Sequence, residues 1–263
     1  MEKLDASLDQ KISKLHTTDV ADRIAIHLSA FIERAIERID DPDRVSRGIE
    51  LARSLIEQTV EITGATDLVE ERPTIDGNYL EALRLLLPDG SPENLKSPLI
   101  PLLDTVLLTN SPGEPRVGHQ IIAEIASADG IDLVMAFIRR SGIRPLLDDL
   151  RRHCAAGRPL RILTTVYTGS TEASALDELK QIGAQIRVSY DDSNTRLHAK
   201  AWLFHRRSGF STAYIGSSNL THSAQISGLE WNARFSNVRN ASVVAKVGTV
   251  FDAYWYSGDF IDY

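Results

Sequence analysis

From residue 102 onward, short apolar runs alternate with amphipathic stretches of about ten to fifteen residues. This alternation constrains the fold more than any other feature of the chain. Asp132–Ile138 contains Leu-Val-Met-Ala-Phe-Ile, the near-continuous apolar run of a strand covered on both faces. Further strands are expected at Asp104–Thr109, Leu160–Val166 and Ala184–Ser189, with helices between them at Val117–Ser127, Ser141–Ala155 and Glu172–Ile182. Strands interleaved with helices of that length argue for a layered α/β sheet. The pattern then turns hairpin-like, with strands at Leu197–His205 and Ser211–Ser217 around a turn at Arg207-Ser208-Gly209. A strand near Leu229–Phe235 and a last helix near Asn240–Tyr256 complete a mixed sheet flanked by helices.

The first hundred residues read differently. Ile24, Leu28, Phe31, Ile32, Ala35, Ile36 and Ile39 recur at helical spacing, and Ile49, Ala52, Leu55, Ile56 and Val60 repeat the pattern after Asp40-Asp41-Pro42-Asp43. Proline ends the first helix there and an aspartate can cap the second, which runs to about Gly64. Beyond it, Pro73, Gly77, Pro88, Gly90, Pro92, Pro98 and Pro101 punctuate a less regular segment, with one short helix expected at Tyr79–Leu87. Two domains result: a helical N-terminal region with its linker over 1–100, and an α/β domain over 101–263.

Charge divides along the same line. The chain carries −7 overall. Its first hundred residues hold 12 basic and 20 acidic side chains, and the rest hold 17 and 16. Net acidity works against nucleic-acid binding as a whole, but it leaves the second domain free to present a local basic groove. A lone cysteine, Cys154, excludes an internal disulfide and reads as a structural thiol at a helix end. No metal cluster or cofactor motif is visible. No apolar run reaches the ~18 residues of a membrane span, and Met1-Glu2-Lys3-Leu4-Asp5 lacks the basic start of a signal peptide. A cytoplasmic protein without membrane attachment is expected.

Chemistry concentrates in Arg196-Leu197-His198-Ala199-Lys200-Ala201-Trp202-Leu203-Phe204. On a strand, Leu197, Ala199, Ala201 and Leu203 share an apolar face and His198 and Lys200 share the other, setting an imidazole beside a cation as an anionic ligand requires. Alone, the pair equally describes an exposed strand face. The next strand ends in Ile215-Gly216-Ser217-Ser218-Asn219-Leu220, where Ser217 and Asn219 have the same parity, and Gly228-Leu229-Glu230-Trp231-Asn232 comes after it with one carboxylate. A single Gly-Ser-x-Asn is more often a turn than a site; the three elements in this order on adjacent strands are far less common.

Taken together, His198-x-Lys200, Gly216-Ser217-x-Asn219 and Glu230 resemble the signature of the phospholipase D superfamily over roughly residues 104–260, on the side of its bacterial nucleases. The stretches Arg196–Phe204 and Tyr214–Leu220 are similar to the N-terminal module of large restriction-related bacterial DEAD/DEAH helicases. The chain stops at Tyr263 with no Walker motif, so that resemblance implies a fragment of a longer protein whose helicase region is missing. Two departures stand out. His205 occupies the place, five residues after the lysine, where the superfamily carries an aspartate. There is also only one His-x-Lys, since His16, His27, His119, His153 and His222 lack the lysine as well.

The resemblance implies a metal-independent phosphodiesterase acting on nucleic acid, DNA in the first instance. The superfamily's site uses two copies of the motif, so a homodimer would supply the second. His198 would attack phosphorus, Glu230 would orient it, and Lys200 and Asn219, with Ser217 as a further candidate, would cradle the phosphoryl oxygens. The alternative is a non-catalytic module that binds nucleic acid and dimerises within a helicase or restriction assembly. Trp202 is expected either to wall the pocket or simply to pack. Arg196, Arg206 and Arg207 are expected either on a nucleic-acid backbone or in solvent, and His205 and His222 at the surface or rim.

Overall fold

The computed structural model describes residues 14–78, 89–91, 100, 103–111, 116–167, 169–191, 197–221 and 230–263. The chain divides into two compact units, 1–80 and 81–263. The boundary expected at residue 100 lies within the second unit, and the helix expected at 79–87 lies outside the described residues.

In the first unit, α1 spans Val20–Glu37 and α2 spans Arg44–Thr63, joined by a 3-10 turn at Asp41–Asp43. Asp43 does not cap α2 through its side chain; instead, the Ser46 hydroxyl donates back to the Asp43 carbonyl. Gly64, at φ 71°, closes α2 in the left-handed conformation with its N–H on the Val60 carbonyl. Only the C-terminal half of the α1 stripe is partly covered, at Ile32, Ala35 and Ile36, with Ile36 facing Gly48 of α2. Ile24, Leu28 and Phe31, expected on the same packed face, are exposed.

The second unit is an eight-stranded mixed sheet flanked by helices. Its strands are β1 (Val106–Leu108), β2 (Gly130–Met135), β3 (Leu160–Thr165), β4 (Gln185–Ser189), β5 (Lys200–His205), β6 (Thr212–Gly216), β7 (Asn232–Ser236) and β8 (Ile261–Asp262). They lie in the order β1-β7-β6-β5-β2-β3-β4-β8. Only β2, β3 and β4 run parallel, and every other pairing is antiparallel. The helices are α3 (Val117–Ser127), α4 (Arg140–Ile143), α5 (Leu147–Ala155), α6 (Ala173–Gln181) and α7 (Ala241–Trp255). The helix expected as one over 141–155 is broken because Pro145 has no N–H to continue the ladder.

Strand alternation sorts the sheet residues into two layers. Leu133, Met135, Ile162, Val188, Trp202 and Phe204 join Ile121, Ile125, Leu150 and Leu176 of the helices in one apolar cluster. Their neighbours Val134, Leu163, Leu203 and Ala213 meet Phe251, Trp255 and Val244 of α7 on the opposite face. Every residue of β2 is buried, as its apolar run implies.

One carboxylate organises the strands from inside. Glu124 of α3 is 3% exposed and accepts from Tyr214 at 2.7 Å, Thr212 at 2.8 Å, Arg206 at 2.5 Å and Arg234 at 3.0 Å. Burial alone would raise its pKa, but the charges of Arg206 and Arg234 win and hold it at about 2. Arg206, one of the arginines considered for a nucleic-acid backbone, is therefore spent in the interior.

The directions of the strands place several ends on one rim. These are the C-termini of β2, β3, β4 and β6 and the N-termini of β5 and β7, with Met135 opposite Lys200 and Gly216 opposite Asn232. Among the described residues, no helix is long and apolar enough to cross a membrane.

Candidate active site

β5 begins at Lys200 rather than at Leu197: its ladder with β2 ends at the pair Met135 and Lys200, beyond which the Ala136 N–H donates to the Ala199 carbonyl at 3.2 Å. Lys200 keeps the parity of Trp202 and Phe204. Ala201 and Leu203 take the other face, as expected, while Ala199 is exposed. The Lys200 ammonium donates to the His198 carbonyl at 2.7 Å and lies 3.1 Å from Nδ1 and 3.3 Å from Nε2 of the same residue. Burial pulls the Lys200 pKa down, opposed by the charge of Glu230. His198 itself is exposed, its ring edge-on to Phe137 with centroids 5.9 Å apart.

β6 ends at Gly216, where a side chain has no room: a Cβ would lie 2.3 Å from the Trp231 carbonyl oxygen. Ser217 then pairs toward β7. Its N–H donates to the Trp231 carbonyl at 3.0 Å, and its hydroxyl accepts from the Trp231 N–H at 3.1 Å and donates to Glu230. Asn219 turns the other way, its Oδ1 accepting from the Phe137 N–H at 3.3 Å beyond β2. The equal parity expected of Ser217 and Asn219 is lost because the chain leaves the sheet after Gly216. Residues 217–220 instead arch over the head of β5, from β7 to a parallel bridge between Ile138 and Leu220. This arch joins Asn219 to the rim that carries His198 and Lys200. With its oxygen engaged, Asn219 presents Nδ2 with no partner among the described residues.

A second close approach fixes the arch. A Cβ on Gly142 of α4 would lie 2.0 Å from the Leu220 carbonyl oxygen and 2.4 Å from the Thr221 nitrogen, both of them backbone atoms that cannot swing aside. Gly142→Ala is expected to cost about 1–3 kcal/mol through overpacking, read as a lowered midpoint in urea denaturation, and to displace Asn219 with Leu220.

Glu230 has a different partner from the one the resemblance implies. Its carboxylate is held by Ser217 and acts on Lys200 through charge, and no hydrogen bond joins it to His198. Trp202 is core, stacked on Phe204 at 5.6 Å, and does not wall the site. His205 lies at the opposite end of β5, opposite Gly130, where its Nε2 meets Asp132 at 2.6 Å. Arg161 holds the same Asp132 with two bonds of 2.7 Å. Arg207 is exposed and paired with Asp129. The Cys154 thiol is half-buried, with its pKa raised by desolvation. Arg196 and His222 lie outside the described residues. No cluster among the described residues has the make-up of a metal site.

Sequence reasoning misses two aromatic residues of this rim, one beside the histidine and the other beside the first. Phe137 reads only as part of an apolar strand, and Tyr167, 5.7 Å from it ring to ring, belongs to no motif. The available signal is positional, since each stands two residues beyond the last strand residue.

The chain matches a protein-family model described as cardiolipin synthase, PLD-like domain, over residues 121–255. No curated protein matches it. Among solved structures it is similar to Nuc from Salmonella typhimurium, a phospholipase D family member (17% identity, TM-score 0.48, 61% of this chain and 97% of that one). It is similar also to NucT from Helicobacter pylori (12% identity, TM-score 0.49, 61% and 99%). The family match takes in just over half of the 263 residues, including His198, Lys200, Asn219 and Glu230, and the chain belongs to the PLD-like domain family.

Proposed function

We propose that this PLD-like domain is a metal-independent phosphodiesterase cleaving nucleic acid, DNA in the first instance, at a site completed by two copies of the chain. The observation that supports it most is the arch over β5, which joins Asn219 to the rim where Lys200 lies against the His198 ring. An imidazole beside a fixed cation and an amide donor suits attack on a phosphodiester, whose non-bridging oxygens need donors and whose phosphorus needs a nucleophile.

One His198 ring nitrogen forms a bond to phosphorus as the P–O bond to the leaving oxygen breaks. The second copy's His198, protonated, gives that oxygen its proton. The same histidine then takes a proton from water, whose oxygen displaces the phosphohistidine nitrogen and releases the product. Lys200 and Asn219 of both copies hold the non-bridging oxygens. Ser217 acts by holding Glu230, whose charge opposes the fall that burial imposes on the Lys200 pKa. In this reading the chain is the cytoplasmic nuclease part of a restriction-type protein with a helicase region.

The test is cleavage of labelled single- and double-stranded DNA in EDTA across about pH 4–9, with oligomeric state measured on the same samples. Two histidines in opposite protonation states demand a bell-shaped profile from a dimer. A monotonic profile, or full activity from a monomer, would exclude the two-copy scheme. DNA binding by a dimer without cleavage would leave only the binding-module reading.

A further inference from the structure

We infer that the rim around His198 is a stacking surface for unpaired bases, and that the substrate of the proposed phosphodiesterase is single-stranded nucleic acid. The inference rests on that functional reading for its chemistry but on separate residues for its evidence. Trp231 stands one residue before β7, His198 two before β5, Phe137 two after β2, Tyr167 two after β3 and Tyr190 one after β4. All five therefore sit on the same rim. Five strand spacings of about 4.8 Å separate β7 from β4, so these five positions span about 24 Å of the rim with His198 among them.

Two of the rings are not placed as packing would place them. Trp231 is 64% exposed and Tyr190 54% exposed, whereas the other two tryptophans, Trp202 and Trp255, are buried in the core. Phe137 touches both His198 and Tyr167, which continues the apolar strip from the reacting histidine toward β4. A duplex buries the faces of its bases in its own stack, while an unpaired strand can lay them on aromatic rings. Charge supports the same choice. The domain over residues 101–263 is close to neutral, with 17 basic and 16 acidic side chains, and on this rim Lys200 and the exposed Arg139 are cations with no carboxylate bonded to them among the described residues. Phosphate neutralisation alone is a weak source of affinity here, and stacking supplies what charge does not.

The test uses the full chain carrying His198→Asn, to stop turnover, with oligo(dT), an abasic oligomer of equal length and a duplex as probes. Because two of the three tryptophans are buried, stacking is expected to quench the emission of Trp231. Trp231→Phe should abolish the quench and keep the affinity, and Trp231→Ala should weaken oligo(dT) binding about 5- to 150-fold. The abasic oligomer and the duplex should bind more weakly than oligo(dT). Equal binding of all three probes, or an unchanged affinity in Trp231→Ala, overturns the inference. A parallel arm monitors hydrolysis of bis(p-nitrophenyl) phosphate by wild type and His198→Asn, which tests the phosphodiesterase chemistry by itself. Base-dependent quenching without hydrolysis of any diester would sink the phosphodiesterase reading and leave the stacking surface standing.

Discussion

His198→Ala is expected to lower EDTA-resistant cleavage by at least about 10⁴-fold, because one substitution removes both the nucleophile and, in the second copy, the acid. The fold should survive, since the side chain is exposed and its nearest partners are Lys200 and the edge of Phe137. Mixing gives a sharper reading. When equal amounts of His198→Ala and wild type exchange subunits at random, only about a quarter of the dimers keep two histidines. Activity per wild-type chain should then drop by about half, whereas a site complete within one chain would show no loss. Activity that tracks the wild-type fraction linearly refutes the shared site.

The largest effect on stability is expected from Glu124→Gln. The substitution leaves Arg206 and Arg234 buried opposite a neutral amide, and breaking such a pair costs about 3–5 kcal/mol. Urea denaturation of wild type and variant measures the difference directly. The acid limb carries the same information with a definite sign. The folded carboxyl titrates at about 2, below its ordinary 4.5. Its contribution is therefore complete above pH 4.5 and is lost as pH falls toward 2. Wild type should lose stability through that window and the glutamine variant should lose less. Parallel acid limbs would mean that the carboxylate adds nothing.

Much of the α/β unit is legible in the sequence because its signals are local. Val117–Ser127 appears as a helix with the expected bounds, and the strands at 160, 184 and 211 start within a residue of their places. Periodicity reports which face is covered, so Ala201 and Leu203 fall correctly opposite Trp202 and Phe204. It does not report where pairing stops. Ala136, Phe137 and Ile138 are as apolar as the residues before them, yet the ladder with β5 ends at Met135 opposite Lys200. The same limitation misplaces Ser217 and Asn219, whose shared parity holds only while the chain remains a strand.

Partnerships between distant residues are the least visible. Arg206 and Glu124 lie 82 positions apart, and nothing near either of them in sequence announces the other. His205 sets a similar trap: close to Lys200 in the motif, it stands at the far end of the same strand and belongs to Asp132. The stripe on α1 is amphipathic as its spacing implies, yet amphipathicity alone does not tell how far along the helix the covering partner extends.

Glu124 reaches β6 through Thr212 and Tyr214, β7 through Arg234, and the residue after β5 through Arg206. Sliding any of these strands by a single step would break its bond, so one carboxylate acts as a register pin for the three strands whose other ends carry Lys200, Gly216 and Asn232. The alignment of these rim positions is thus set from the opposite ends of the strands. This separation bears on how such a module can diversify. Rim segments can be lengthened, shortened or exchanged while the strand register stays in place, because the parts that vary and the part that aligns are physically separate.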